Sequence, residues 1–150
     1  MNELKLDLGC GDKCKEGFEG ADKKAYGQKY ILDLENDMQW RKYLENNSVD
    51  EIFSSHLAEH IKNINLFMYH VFRVLKPTGK AFFVVPYYLW EGAYRDPSHV
   101  RFFTENTFKY FNKEYAKAVN YNMEYDFDFD IIDIDIVFGR ELKCQLKPRK

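Results

Sequence analysis

Short apolar runs separated by polar segments recur along the first half of the chain. Residues 4–8, 30–34 and 48–54 predict strands, and a further short strand ends at Asp22. The continuous apolar run 81–85 predicts a strand that is buried on both faces. The segment between the first two strands is shorter than the dozen or more residues of an ordinary helical crossover. The sequence therefore predicts a shortened first connection.

Two segments between these strands carry apolar residues at helical spacing. Residues 36–45 predict a short helix that buries Met38 and Trp40, and residues 63–75 predict a longer helix with an apolar stripe. Residues 76–79 predict a turn that stops the longer helix. Strands that alternate with helices or short connections indicate the α/β class, with a mostly parallel sheet and helices on both faces.

The last third of the chain changes to an alternating pattern. Residues 104–111 predict a helix, after which apolar and acidic residues alternate over residues 125–138. The adjacent Ile131 and Ile132 break this period of two, as a β-bulge would. A turn and a final strand over residues 141–146 would pair with it, which predicts a C-terminal antiparallel strand.

Composition limits the possible classes of protein. The chain has 150 residues, of which 45% are hydrophobic, and this suits a single domain over residues 1–150 with a substantial core. The formal net charge of −2 gives no general electrostatic reason to bind nucleic acid or an anionic membrane. There is no apolar stretch of membrane-spanning length and no apolar signal segment after Met1. Three cysteines suggest no disulfide framework, so the expected location is the reducing cytoplasm.

The candidate chemistry begins at the end of the first strand. Gly9 and Gly11 flank Cys10 there, and a strand followed by Gly-x-Gly lets the backbone approach a nucleotide-like ligand. Asp7 precedes this turn, whereas Cys14 stands where a dinucleotide fingerprint has its third glycine. These residues favour a ligand that does not depend on a phosphate cradle.

The ordered set of motifs resembles the class I S-adenosylmethionine-dependent methyltransferases, in particular their small bacterial and phage members. The motifs lie at residues 6–11, Asp22, and residues 48–52, 56–60 and 73–79. The resemblance implies a Rossmann-like, seven-stranded sheet with one antiparallel strand. It also implies S-adenosyl-L-methionine as the cofactor and transfer of its methyl group to an acceptor.

The resemblance also implies which residues bind the cofactor. Asp22, at the end of the second strand, matches the acid that accepts hydrogen bonds from the ribose hydroxyls, and Asp33 with Leu34 matches the pair that flanks the adenine. The glycine turn matches the motif that meets the methionine end of the cofactor. The implied cofactor-binding residues are Asp7, Gly9, Cys10, Gly11, Asp22, Asp33, Leu34, Ser55 and His56.

The acceptor is expected on the segments that follow the fourth and fifth strands, where ligands bind in open α/β sheets. A base helps only if the acceptor must lose a proton, and His99, Asp96 and His60 are the catalytic candidates. Tyr87 and Arg101 are the candidates for substrate binding. The alternatives are a polar network that braces residues 96–101 and packing of Tyr87 against the rim of the sheet.

Methyltransferases that act on the exocyclic amines of nucleic-acid bases, or on the carbon of cytosine, carry characteristic motifs after the fourth strand. This chain has neither motif, so a small molecule, a sugar or a protein side chain is the expected acceptor. A non-catalytic binding module with the same fold is an alternative that would hold the cofactor or serve a partner. A more distant alternative is a zinc hydrolase that uses the pattern His56-x-x-Glu59-His60, although this chemistry needs a third ligand. No metal site is predicted.

The sequence also leads to an expectation about partners. No helix is predicted before the first strand, so part of the lid usual in this family is expected to be missing. An open acceptor face follows, or one that a second copy or a partner subunit completes.

Overall fold

A computed structural model describes residues 3–150, whose strands form one seven-stranded sheet. The strands are β1 (Lys5–Leu8), β2 (Glu19–Asp22), β3 (Tyr30–Ile31), β4 (Val49–Ser55), β5 (Leu75–Pro86), β6 (Phe129–Val137) and β7 (Glu141–Pro148). The α-helices are α1 (Asp37–Tyr43), α2 (Ile64–Val74) and α3 (Lys113–Ala118). Single 3-10 turns occur at Ala58–His60, Glu91–Ala93 and Thr107–Phe111.

The strand order along the sheet is β3-β2-β1-β4-β5-β7-β6. β7 pairs antiparallel with both β5 and β6, and the other pairs are parallel. This arrangement confirms the Rossmann-like sheet with a C-terminal antiparallel strand. The register of β6 on β7 shifts between Ile131 and Asp133, which confirms the predicted bulge.

The two longer helices begin at asparagines that cap them. The Asn36 side chain accepts a hydrogen bond from the Gln39 amide at 3.1 Å, and Asn63 does the same for Leu66 at 3.0 Å. Trp40 is fully buried as predicted, but Met38 is 80% exposed, so its predicted burial is wrong. Two residues along a helix correspond to a rotation of about 200°, which turns Met38 away from the face that carries Trp40.

The helical layer covers one face of the sheet. The ring of Phe83 on β5 packs against Phe67 of α2 and against Phe108, with ring centroids 6.3 and 5.7 Å apart. On the opposite face Phe82 and Phe53 are only half-buried. Within residues 3–150 the helices cover one face of the sheet, whereas the sequence predicted helices on both faces. The reason is that the connection between β1 and β2 is too short to form a covering helix, which agrees with the predicted shortened crossover.

Three predicted boundaries are corrected. The strand expected at residues 30–34 ends at Ile31, because the chain then turns to bury Leu34, whose carbonyl accepts from Trp40 Nε1 at 2.9 Å. The turn expected at residues 76–79 is part of β5, which begins directly after α2. The helix expected from Thr104 is only a 3-10 turn that begins at Thr107, although Phe108 is buried within it.

No helix in the described part of the chain is both long enough and apolar enough to cross a lipid bilayer.

Candidate active site

The glycine turn joins the ends of β1 and β2. Gly9 and Gly11 have φ angles of +71° and +59°. Residues other than glycine adopt this backbone region only at a cost in free energy. The Gly9 amide donates to the Ala21 carbonyl at 2.7 Å. A Cβ atom at Gly9 would lie 2.8 Å from the side chain of Leu57, whereas one at Gly11 would meet nothing within 4 Å. The turn therefore leaves open space in front of Gly11.

Asp22 lies beside this open space. Its Oδ2 atom accepts from the Gly11 amide at 3.1 Å, and its Oδ1 atom accepts from the Lys24 amide at 3.0 Å. A carboxylate offers about four acceptor positions, so each oxygen can accept a second hydrogen bond. Asp22 thus fits the acceptor of two neighbouring hydroxyl groups.

Asp7 supports the turn from below. It is 4% exposed, and its Oδ2 atom accepts from the Lys15 amide at 2.8 Å, which holds the connection against β1. Burial raises the pKa of its carboxyl. Burial and the neighbouring Cys14 thiol also raise the pKa of Cys10 to about 12, so this thiol stays neutral.

Asp33 and Leu34 follow β3 at the same edge of the sheet. The preceding residue, Leu32, donates its amide to the Asp22 carbonyl at 3.0 Å, which places this segment next to the end of β2. The Asp33 carboxylate accepts from the Glu35 amide at 3.0 Å. The structure therefore brings both residues to the side of the glycine turn.

His56 follows Ser55 at the end of β4 and lies between two carboxylates. Its Nε2 atom is 2.8 Å from Glu141 Oε1, and its Nδ1 atom is 3.4 Å from Glu59 Oε1. Glu59 first and Glu141 second raise the pKa of His56 to about 9, so the imidazole is positively charged at neutral pH. Glu141 is a residue that the sequence analysis missed. Its only signal was its position at the start of an antiparallel strand that shares this edge.

The segment after β4 adjoins both the glycine turn and the segment after β5. Leu57 lies against Gly9, as the close approach of its side chain shows. The Glu59 carbonyl accepts from the Val100 amide at 2.8 Å. The imidazole rings of His60 and His99 lie with their centroids 4.7 Å apart.

Asp96 orders this histidine pair. Ser98 Oγ donates to Asp96 Oδ1 at 2.7 Å and lies 3.0 Å from His60 Nδ1. Asp96 Oδ2 is 3.7 Å from His99 Nε2, and His99 Nδ1 is 2.8 Å from the Ala93 carbonyl oxygen. The three residues predicted as catalytic are therefore neighbours in space.

The two predicted substrate-binding residues are engaged elsewhere. Arg101 donates to the Ile61 carbonyl at 2.8 and 3.1 Å and to the Lys62 carbonyl at 2.9 Å. Tyr87 is 7% exposed, and its hydroxyl donates to Glu105 at 3.3 Å. These contacts favour the bracing and packing alternatives for both residues.

Comparisons with known proteins support the resemblance. A family model described as a methyltransferase domain matches residues 12–83. The match begins directly after the glycine turn and includes Asp22 and the segment 56–60. Comparison with curated proteins gives no match.

Several solved structures share the fold, among them those of two methyltransferases. A protein from Pyrococcus horikoshii has a TM-score of 0.66 at 17% identity, over 99% of this chain and 83% of its own. A methyltransferase dependent on S-adenosylmethionine from Archaeoglobus fulgidus has a TM-score of 0.64 at 16% identity, over 97% and 86%. The Burkholderia thailandensis 1,6-didemethyltoxoflavin-N1-methyltransferase, with 1,6-didemethyltoxoflavin and S-adenosylhomocysteine bound, has a TM-score of 0.66 at 13% identity, over 98% of this chain and 71% of its own.

Proposed function

We propose that the chain is a class I S-adenosylmethionine-dependent methyltransferase, and that it methylates a hydroxyl or amine of a small molecule, a sugar or a protein side chain. The observation that carries the proposed site is the hydrogen bond between the Gly11 amide and the Asp22 carboxylate. In this contact a carboxylate acceptor lies beside the open glycine turn. The cofactor side and the acceptor side of the proposed site lie at one edge of a single sheet, which supports a single-domain enzyme.

Different residues around the turn bind the different parts of the cofactor. Asp22 accepts from the ribose hydroxyls, and Asp33 with Leu34 flanks the adenine. Asp7 and Cys10, together with the two glycines, shape the methionine end, while Ser55 and His56 line the cofactor after β4. When bound, S-adenosyl-L-methionine supplies a sulfonium methyl group that is already activated for transfer. The protein therefore has to hold the acceptor in line with that group.

The acceptor side is formed by His60, Asp96 and His99. Leu57 joins this group to the glycine turn, because it packs on Gly9 three residues before His60. His56 cannot take a proton at neutral pH, since its two carboxylate neighbours keep it charged. The Ala93 carbonyl binds the protonated Nδ1 atom of His99, which leaves a lone pair on Nε2. That nitrogen can accept a proton or bind a cation.

Removal of the Asp22 carboxylate tests the cofactor site. In Asp22→Ala, calorimetry should show S-adenosylhomocysteine binding weaker by about 1.5–3 kcal/mol, roughly 10- to 150-fold, because a carboxylate acceptor is lost. Asp135→Ala is the matched control, since Asp135 is an exposed acid on β6. Affinity within twofold of wild type in a folded Asp22→Ala protein would contradict the assignment.

Turnover tests the acceptor part of the proposal. Labelled S-adenosylmethionine is incubated with the protein and with panels of hydroxyl and amine acceptors, including sugars and peptides. Transfer to one class identifies the acceptor chemistry. Cofactor binding without transfer to any class would favour the alternative of a non-catalytic binding module.

A further inference from the structure

We propose that Glu59, His60 and His99 form a binding site for a divalent transition-metal cation. One potential ligand atom from each of these side chains lies within 4.8 Å of the other two. Zinc bound at about 2.1 Å by such ligands needs them roughly 3.4 Å apart. Side-chain adjustments of about an ångström close the site.

Glu59 is the group that most needs a partner. Its side chain is 1% exposed, and within the described residues neither carboxylate oxygen has a hydrogen-bond donor. The neighbouring His56 Nδ1 lies at 3.4 Å from Oε1, as a charge contact without hydrogen-bond geometry. A buried polar group without hydrogen bonds costs free energy, and a bound cation would supply the missing interaction.

Hydrogen bonds prepare both imidazoles as ligands. The Ala93 carbonyl can only accept, so Nδ1 of His99 carries the proton and Nε2 holds the lone pair. Ser98 gives its hydroxyl proton to Asp96 and therefore accepts from Nδ1 of His60. Such contacts at the second nitrogen are typical of metal-binding histidines, because they fix the tautomer and the orientation of the ring.

The donor set indicates the class of cation. Two imidazoles and one carboxylate suit zinc and the neighbouring first-row divalent ions, whereas magnesium and calcium prefer oxygen ligands. Three protein ligands leave at least one coordination position open. The set also differs from the zinc-hydrolase pattern considered from the sequence, because His56 is paired with Glu141 and His99 takes the place of the third ligand.

The role of this cation in catalysis rests on the proposed function. A hydroxyl acceptor in the open position would bind the cation through oxygen, which lowers the pKa of the hydroxyl. Its proton passes to solvent, the oxygen bonds to the methyl carbon, and the carbon–sulfur bond breaks to leave S-adenosylhomocysteine. His60 and His99 then act as ligands, and the predicted role of His99 as a base does not apply.

Metal titration tests the site without any acceptor. Protein freed of metal by a chelator is titrated with Co2+ in the visible region and with Zn2+ by calorimetry. We expect one equivalent to bind, and Glu59→Gln, His60→Ala or His99→Ala to weaken binding by more than about tenfold. The Cys14→Ser variant is the control, and it should bind metal as wild type does because Cys14 is an exposed free cysteine and all three ligands are retained.

Two results would overturn the proposal. One is the absence of saturable metal binding at one equivalent, in which case the charge of the Glu59 carboxylate is compensated by His56 alone. The other is binding that survives all three ligand substitutions or that is lost in the cysteine variant. Thermal unfolding shows which variants fold. If Glu59→Gln does not fold, His99→Ala is the variant that tests the site. S-adenosylhomocysteine calorimetry on the same proteins separates this failure from a failure of the cofactor site.

Discussion

The two glycines of the turn after β1 have the same backbone requirement but different surroundings. Both have positive φ, so any side chain there is strained by about 1–2 kcal/mol. Leu57 fills the space beside Gly9, whereas the space beside Gly11 is open. The first glycine therefore serves the close packing of the segment after β4, and the second leaves the open space in which we propose that the cofactor binds.

A valine at position 11 should separate binding from folding. Gly11→Val should remain folded with only the backbone strain, yet lose measurable S-adenosylhomocysteine binding, because its side chain enters the open space. Gly139→Val is the matched control, since Gly139 also has positive φ and open surroundings but lies in the turn between β6 and β7. Calorimetry and circular dichroism measure the two effects. Normal binding by a folded Gly11→Val protein would show that the cofactor lies elsewhere.

At the scale of elements, α1 and α2 are joined by a buried histidine. His70 of α2 is fully buried, and its Nε2 atom is 2.9 Å from the Asp37 carboxylate of α1. Arg73 donates to its Nδ1 atom at 3.1 Å, and Trp40 stacks on the ring at 5.1 Å. Burial and the Arg73 charge lower the pKa of His70 to about 4, although Asp37 opposes them.

This junction should make the fold sensitive to acid. In the unfolded protein His70 binds a proton below its ordinary pKa of about 6.5, whereas in the folded protein it binds one only below about pH 4. The free energy of unfolding therefore falls as the pH decreases through this window, by up to about 1.4 kcal/mol per unit. His70→Gln should remove that part of the slope. Urea unfolding of both proteins at pH 7, 6 and 5 checks it, and parallel curves would rule out the contribution.

At the scale of the whole molecule, the two faces of the sheet are unequal. Adjacent residues on β5 illustrate the difference, because Phe83 points into the helical layer and Phe82 points to the opposite face. Lys15 and Phe18 from the short first connection cover part of that opposite face, where they contact the ring of Phe53. Stability therefore depends mainly on one layer of packing.

Two neighbouring alanine substitutions should reveal this asymmetry. Phe83→Ala should lower the free energy of unfolding by about 3–5 kcal/mol, because it leaves a cavity beneath the helices. Phe82→Ala should cost less than half as much, since its ring is already half-solvated. Urea midpoints at constant m-value measure both. Equal losses would mean that the second face is covered as well as the first.

Local patterns determined much of this fold. Alternation and the Ile131–Ile132 irregularity predicted the bulged β6 and its hairpin with β7, since such features depend on neighbours within a few residues. The strand followed by Gly9 and Gly11 predicted the turn for the same reason. The patterns did not place Met38 or end β3 correctly, because these depend on which face and which length the tertiary packing uses.

The sequence by itself thus determined the class of the fold, the glycine turn and the acid at the end of β2, because each is encoded in a short contiguous segment. Only the tertiary structure decided which side chains meet across distant segments. It placed Glu141 on His56, brought Glu59 to His99, and turned Arg101 to the carbonyls after the first 3-10 turn. These contacts join segments about 40 to 85 residues apart, and their geometry arises where loops from different strands converge at one edge of the sheet.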